Sequence, residues 1–191
     1  GHRVVTDNHI GDWGTQFGML LVGWKRELDR AALQADAIGE MERIYKLINR
    51  EIKQQTAHWL RGNFPDYPTR LADGLEKGMD EDEVNKRLVG TLPASEAAKV
   101  SATGADSRQE LVKLQAGDAE NLVIWREMIA LSQTQFDTIY GRLGVRFDHT
   151  LGESFYNPRL KDLVADLVAQ GIARESDGAQ VIFFDGIPQL K

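Results

Sequence analysis

The chain has 191 residues, 42% of them hydrophobic and 27% charged, with a net charge of −6 at neutral pH. That balance suits one soluble globular domain with a real core, or a domain plus an appendage, and excludes a membrane-spanning segment, since no apolar run is long enough. The absence of cysteine rules out a disulfide frame, a thiolate metal site and a cysteine nucleophile, while the acidic charge leaves the chain too acidic for strong non-specific nucleic-acid binding, which depends on phosphate neutralisation by Lys and Arg.

No signal-peptide pattern opens the chain, and a reducing cytoplasm is compatible with its composition. Arg3 to Asp7, with the β-branched run Val4-Val5-Thr6, predicts a short buried strand. The sequence opens directly on that strand and closes at Pro188-Gln189-Leu190-Lys191 with no element completed, which reads as a piece of something larger. Asn8-His9-Ile10-Gly11-Asp12-Trp13-Gly14-Thr15-Gln16-Phe17-Gly18 follows the strand. Its glycines admit close approach of backbone or ligand, or positive φ. In an open parallel sheet ligands sit beyond the carboxyl ends of strands, where this loop would lie. The competing reading is a tight turn whose Trp13 plugs a core.

Trp13 to about Leu28 predicts the first helix, with Phe17, Leu20, Leu21 and Trp24 on one stripe. Gly23 on that helix reads as a close-packing point. Asp36 opens a strong amphipathic helix that keeps its spacing (Ile38, Met41, Ile44, Tyr45, Ile48, Ile52) to about Gln54. Residues 55–104 are the least informative. Short helices are expected at Thr69 to Glu76 and Asp80 to Val89, and Pro93 to Gly104 reads as loop or weak helix. Ser107 to Leu114 predicts a further helix, with Gly117 at its C′ position and Asp118 as the N-cap of a long helix from about Ala119 to Leu143. The broad apolar stripe of that helix (Leu122, Trp125, Met128, Ile129, Leu131, Phe136, Tyr140) implies burial on more than one side.

Gly144 ends the long helix, and Val145-Arg146-Phe147-Asp148 predicts a second parallel strand. His149-Thr150-Leu151-Gly152-Glu153-Ser154-Phe155-Tyr156 comes next. His149, Glu153 and Ser154 do not suggest a hydrolase triad, because such triads assemble from separate elements rather than from sequence neighbours. Asn157-Pro158 reads as an N-cap with proline at N1 of a helix closed by Gly171. Ile172 to Glu175 and Gln180 to Phe184 are β-rich runs around Ser176-Asp177-Gly178-Ala179, a hairpin signal in which Asp177 and Gly178 supply turn chemistry.

Asn8 to Gly18, continuing into Met19-Leu20, resembles the segment after the second strand of the nucleotide-binding fold in arginyl-tRNA synthetases, which are class I ligases. Lys113-Leu114-Gln115-Ala116-Gly117-Asp118 is close to the same family's pattern, and Gly152-Glu153-Ser154 has the form that arginyl enzymes show. The resemblance covers about residues 2–54 and 105–187. It implies an α/β, mainly helical fold: a partial Rossmann-type nucleotide-binding fold of short parallel strands, with a helical insertion and a connective-peptide β-hairpin. Residues 1–54 would hold the second strand and its helices, 55–104 a variable insertion, 105–157 the long helix and next parallel strand, and 158–191 the connective-peptide helix and hairpin.

Such enzymes activate arginine with ATP and transfer it to tRNA(Arg) for protein biosynthesis in the cytoplasm. The resemblance therefore implies arginine, ATP with magnesium, and tRNA(Arg) as partners of the parent enzyme, with no tight binding of these to the segment alone. The HIGH and Lys-Met-Ser-Lys-Ser signatures have no counterpart here, so catalytic residues are not assigned. His9-Ile10-Gly11-Asp12 shares three letters with HIGH, but Asp12 stands where its second histidine would be. Asn8, Gly11, Asp12, Trp13, Gly14 and Gln16 would form a substrate-pocket loop, approached by Glu153 and Ser154 from the neighbouring strand end. Asp12 would orient backbone amides or a substrate hydroxyl, Trp13 would pack behind the pocket or on the terminal nucleotide, and Gln16 would offer hydrogen bonds. Two rivals are a non-enzymatic helical protein-interaction module and a metal hydrolase. The second is weak, because the four histidines lack paired ligand spacing.

Overall fold

The computed structural model describes residues 1–176 and 178–184. In chain order the elements are β1 (Asp7–Ile10), α1 (Gln16–Glu27), α2 (Arg30–Ala35), α3 (Ala37–Asn63), α4 (Tyr67–Glu76), α5 (Glu81–Gly90), α6 (Ala94–Ala97), α7 (Ala102–Gln115), α8 (Ala119–Leu143), β2 (His149–Gly152), α9 (Glu153–Ala169), β3 (Arg174–Ser176) and β4 (Ala179–Val181). The chain is mainly helical, with few and short strands. It divides into two compact units, one built from Gly1–Asp12 and the described residues from Phe147 onward, the other from Trp13–Arg146.

In the first unit β1 and β2 pair in parallel, Asp7 opposite His149 and Ile10 opposite Gly152. Both strands lie a few residues beyond the predicted runs Arg3 to Asp7 and Val145 to Asp148. The cause is a polar clamp just ahead of the ladder. The Asp148 carboxylate accepts from the backbone N–H of Thr6 at 2.8 Å and from its hydroxyl at 3.1 Å, while the Asp148 N–H bonds Thr6 at its carbonyl (3.0 Å) and hydroxyl (3.1 Å). That clamp fixes where pairing starts. The Thr6 N–H and hydroxyl also hold the Asp148 carboxyl below the usual carboxylate range. The predicted burial is corrected as well: Val4 and Val5 are 76% and 54% exposed, and β1 alternates between exposed and half-buried.

A second correction concerns α9. It starts at Glu153, not after Asn157, and carries Pro158 inside it. Proline there lacks the N–H that would bond four residues back, so the start of α9 needs support from elsewhere. Gly171 does close the helix region, at φ +71°. β3 and β4 pair antiparallel, Arg174 opposite Val181 and Ser176 opposite Ala179, and Gly178 turns with φ +79°. Asp177 and Pro188 to Lys191 lie outside the described residues. The Arg174 guanidinium sits 4.1 Å from the centroid of the Phe183 ring.

The second unit is built on α1. Phe17, Leu21 and Trp24 face Leu33, Ala37, Met41 and Ile44 of α2 and α3, Leu114 of α7 and Met128 of α8. Two glycines on α1 permit this closeness. A Cβ on Gly18 would run into the backbone carbonyl of Ser107 on α7, and one on Gly23 would stand 3.1 Å from the Ile44 Cβ of α3. Asp36 caps α3 as expected, accepting from Gly39 N–H at 3.0 Å. The helix continues past Gln54 to Asn63, because Ala57 and Leu60 extend its buried stripe.

That extension carries a second, smaller core, in which Leu60 meets Tyr67, Val84 and Leu88. Residues 55–104 are thus more ordered than predicted. Asp80 and Glu83 form a capping box at the start of α5. Pro93 to Gly104 contributes α6 and the first turn of α7, which Ser101 caps through its bond to Gly104 N–H at 2.9 Å. At α8 the expected Asp118 cap and the left-handed Gly144 (φ +68°) are both present. The implied two-sided burial is not: Asn121 and Met128 are its buried residues, and Ile139 and Leu143 are 50% and 68% exposed.

Candidate functional site

In the first unit the carboxyl ends of β1 and β2 bring together Asp12 and Ser154, 142 positions apart in the chain. Asp12 is 4% exposed. Its carboxylate accepts from the Ser154 backbone N–H at 2.8 Å and from the Ser154 hydroxyl at 2.5 Å. Ser154 occupies the first turn of α9, whose own N-cap is Gly152 and offers no side chain. Asp12, in the loop just past β1, therefore caps α9 from a distant part of the chain. A carboxylate at a helix N-terminus meets unsatisfied N–H groups and the positive end of the helix dipole, and this offsets the bond lost at Pro158.

The same contact explains Gly152, to which the sequence alone gives no task. A Cβ there would overlap the Asp12 carboxylate. Also without a predicted role were Asp7, whose carboxylate accepts from Leu151 N–H at 3.2 Å, and Tyr156, whose ring lies 5.7 Å from that of His9. The last of these bears on the strand end, since His9 is on β1 and Tyr156 on α9. Asn8 is half-buried, Gly11 is exposed, and Glu153 is exposed in the first turn of α9.

Trp13, Gly14 and Gln16 fall in the second unit. Trp13 packs edge-on against Trp125 of α8, with ring centroids 5.3 Å apart, and its carbonyl accepts from Gln115 Nε2 at 3.3 Å. Its indole Nε1 is buried with no hydrogen-bond partner among the described residues. Gly14 opens the turn into α1, its carbonyl accepting from Phe17 N–H at 3.1 Å. The Gln16 side chain folds back over it, so that a Cβ on Gly14 would lie 2.5 Å from Gln16 Oε1.

The arrangement can orient and hold, through a buried carboxylate locked onto a helix start. It is not a serine–histidine–aspartate relay, because Ser154 donates directly to both Asp12 oxygens. Among the described residues no group of three or more His, Asp or Glu side chains could hold a metal ion, and no helix is long and apolar enough to cross a membrane.

Residues 1–189 match the family described as tRNA synthetases class I (R), catalytic domain, and the chain belongs to that family. Its relatives include the arginine–tRNA ligases of Rhodopirellula baltica, 34% identical over 97% of this chain and 34% of the relative, and of Fusobacterium nucleatum, 36% identical over 97% of this chain and 25% of the relative. That of Citrobacter koseri is 34% identical, over 97% of this chain and 24% of the relative. The chain thus spans between about a quarter and a third of the length of these relatives.

Proposed function

We propose that the chain works as part of an arginine–tRNA ligase, and that by itself it does not charge tRNA. The observation that carries the reading is the alignment of 97% of the chain with enzymes named arginine–tRNA ligase. In such a reaction a carboxylate oxygen of arginine attacks the α-phosphorus of ATP and pyrophosphate leaves. A ribose hydroxyl at the tRNA terminus then attacks the activated carbonyl and AMP leaves. Both steps depend mostly on positioning and on electrostatic stabilisation of developing charge.

In this reading the short parallel strands belong to a Rossmann-type nucleotide fold, β3 and β4 to the connective peptide, and residues 55–104 to an insertion. Asn8, Gly11 and Asp12, with Glu153 and Ser154, frame the substrate end of the strand pair. Asp12 is a positioning residue: it fixes the start of α9 and the Ser154 hydroxyl, and leaves Glu153 in the exposed first turn to meet a ligand. Trp13, Gly14 and Gln16 set the start of α1, with Trp13 held by Trp125. Among the described residues Asp12 is the buried acid at the strand ends, and its engagement by Ser154 leaves it no free oxygen to offer magnesium. The setting is the cytoplasm. A helical interaction module does not account for the family match.

The test is aminoacylation. A full-length arginine–tRNA ligase containing this chain should attach arginine to tRNA(Arg) with ATP, the isolated chain should not, and charging by the isolated chain above background would overturn the second half of the proposal.

A further inference from the structure

Helices α1, α3, α5 and α7, with α6, enclose a cleft of about 610 Å³ in the second unit, a size typical of small-molecule sites. Met19, Ile52, Val89 and Val100 give it apolar walls. Its charged side chains are Lys53, Asp82, Lys86 and Arg108. Lys53 and Asp82 form an ion pair and cancel. Lys86 and Arg108 are exposed and have no ion-pair partner among the described residues. Among the described residues Arg108 gives one hydrogen bond, from Nη2 to the Ala98 carbonyl at 3.0 Å, which leaves most of its guanidinium donors available. The local charge is therefore positive in a chain of net charge −6, so the cleft attracts anions that the rest of the surface repels.

The walls are also held in place. Gln55 Oε1 accepts from the Ser101 hydroxyl at 2.7 Å and from Thr103 N–H at 3.0 Å, and the Thr103 hydroxyl donates to Glu51 at 2.6 Å. These bonds fasten the first turn of α7 to α3, and a wall already ordered loses little entropy on binding. Tyr45 and Asn49, one turn apart on α3 and both half-buried, add hydrogen-bonding groups to the lining.

We propose that this cleft binds a small organic anion with an apolar body, its carboxylate or phosphate monoester held by Lys86 and Arg108 and its body by Met19, Ile52, Val89 and Val100. An RNA strand is a poorer match, because it presents a run of phosphates to what is here a short apolar-walled cleft with two free cations. The proposal does not rest on the synthetase reading.

The test uses the full chain, isotope-labelled and titrated with 2-naphthoate, 2-naphthyl phosphate and the neutral 2-naphthalenemethanol, following the backbone amides of Asn49, Val100 and Gly104. At least one anion should give saturable shifts at these amides, with the neutral alcohol about tenfold weaker or worse, as the loss of a charge-assisted bond implies. The tighter of the two anions identifies the headgroup. The double variant Lys86→Gln, Arg108→Gln should reduce anion binding to the level of the alcohol. The single variant Lys86→Gln, compared with the native chain in low and high salt, gives the same reading should the double variant not fold. Absence of saturable shifts, equal binding of the alcohol, unchanged binding in the variants, or displacement of the naphthyl anions by an RNA oligonucleotide at lower concentration would overturn the proposal.

Discussion

Replacing Glu110 by Gln should destabilise the helical unit at neutral pH and leave little effect in strong acid. Glu110 on α7 lies between Lys25 of α1 at 2.8 Å and Lys113 at 2.7 Å, and accepts from Asn121 Nδ2 of α8 at 2.8 Å. Burial pushes its carboxyl up, but the bonds from Lys113, Lys25 and Asn121 outweigh that and hold it at about 2, against an ordinary value of 4.5. A carboxylate depressed on folding contributes stability that is complete above the unfolded value and is lost as pH falls through the folded one. The full shift corresponds to ~3 kcal/mol. Solvent reaches the two lysines, 26% and 44% exposed, and screening brings the expected effect to about 1–2 kcal/mol. All four tryptophans (Trp13, Trp24, Trp59, Trp125) lie in this unit, so fluorescence-monitored urea unfolding reports on it directly. Glu110→Gln should lower the midpoint at pH 7, and the gap from the native chain should narrow as pH falls from 4.5 towards 2. A gap that is absent at pH 7, or that stays constant through that window, would refute the reasoning.

Asp12→Ala removes the cap that α9 takes from the loop just past β1 and should cost about 1 kcal/mol of local stability, seen as faster amide exchange in the first turn of α9 while the tryptophan-monitored transition stays put. Unchanged exchange at Ser154 would contradict the capping role. Gly18→Ala drives a methyl into the Ser107 carbonyl and should destabilise the α1–α7 crossing by about 1–3 kcal/mol, lowering the thermal midpoint. A stabilised variant would mean that the helices can separate without loss.

Where the sequence carried its own local signal, the structure follows it. Asp36 and Asp118 cap the helices they precede, Gly144 takes the left-handed conformation that ends α8, and Gly23 is a packing point. The resemblance on Asn8 to Gly18 and Gly152 to Ser154 pointed to the family that the chain belongs to. What was not legible depends on distant partners. The strand starts are fixed by Thr6 meeting Asp148, and the start of α9 by Asp12 meeting Ser154, each pair 142 residues apart. Local rules favoured Asn157-Pro158 as the start because a remote carboxylate leaves no trace in the helix's own sequence. The two-sided burial read from α8 failed for a similar reason: an apolar stripe states what a helix can bury, not what stands opposite it. The cleft beside residues 55–104 arises from five helices whose lining residues are scattered from Thr15 to Arg108, with no motif to announce it.

The most direct test is tRNA charging by a full-length enzyme containing this chain, assayed with ATP, each of the twenty amino acids and tRNA(Arg), beside its Asp12→Ala variant. Arginine should be the amino acid attached, and the variant should lose at least about tenfold in rate through misplacement of the strand-end site. Failure to attach arginine, or preference for another amino acid, would contradict the account.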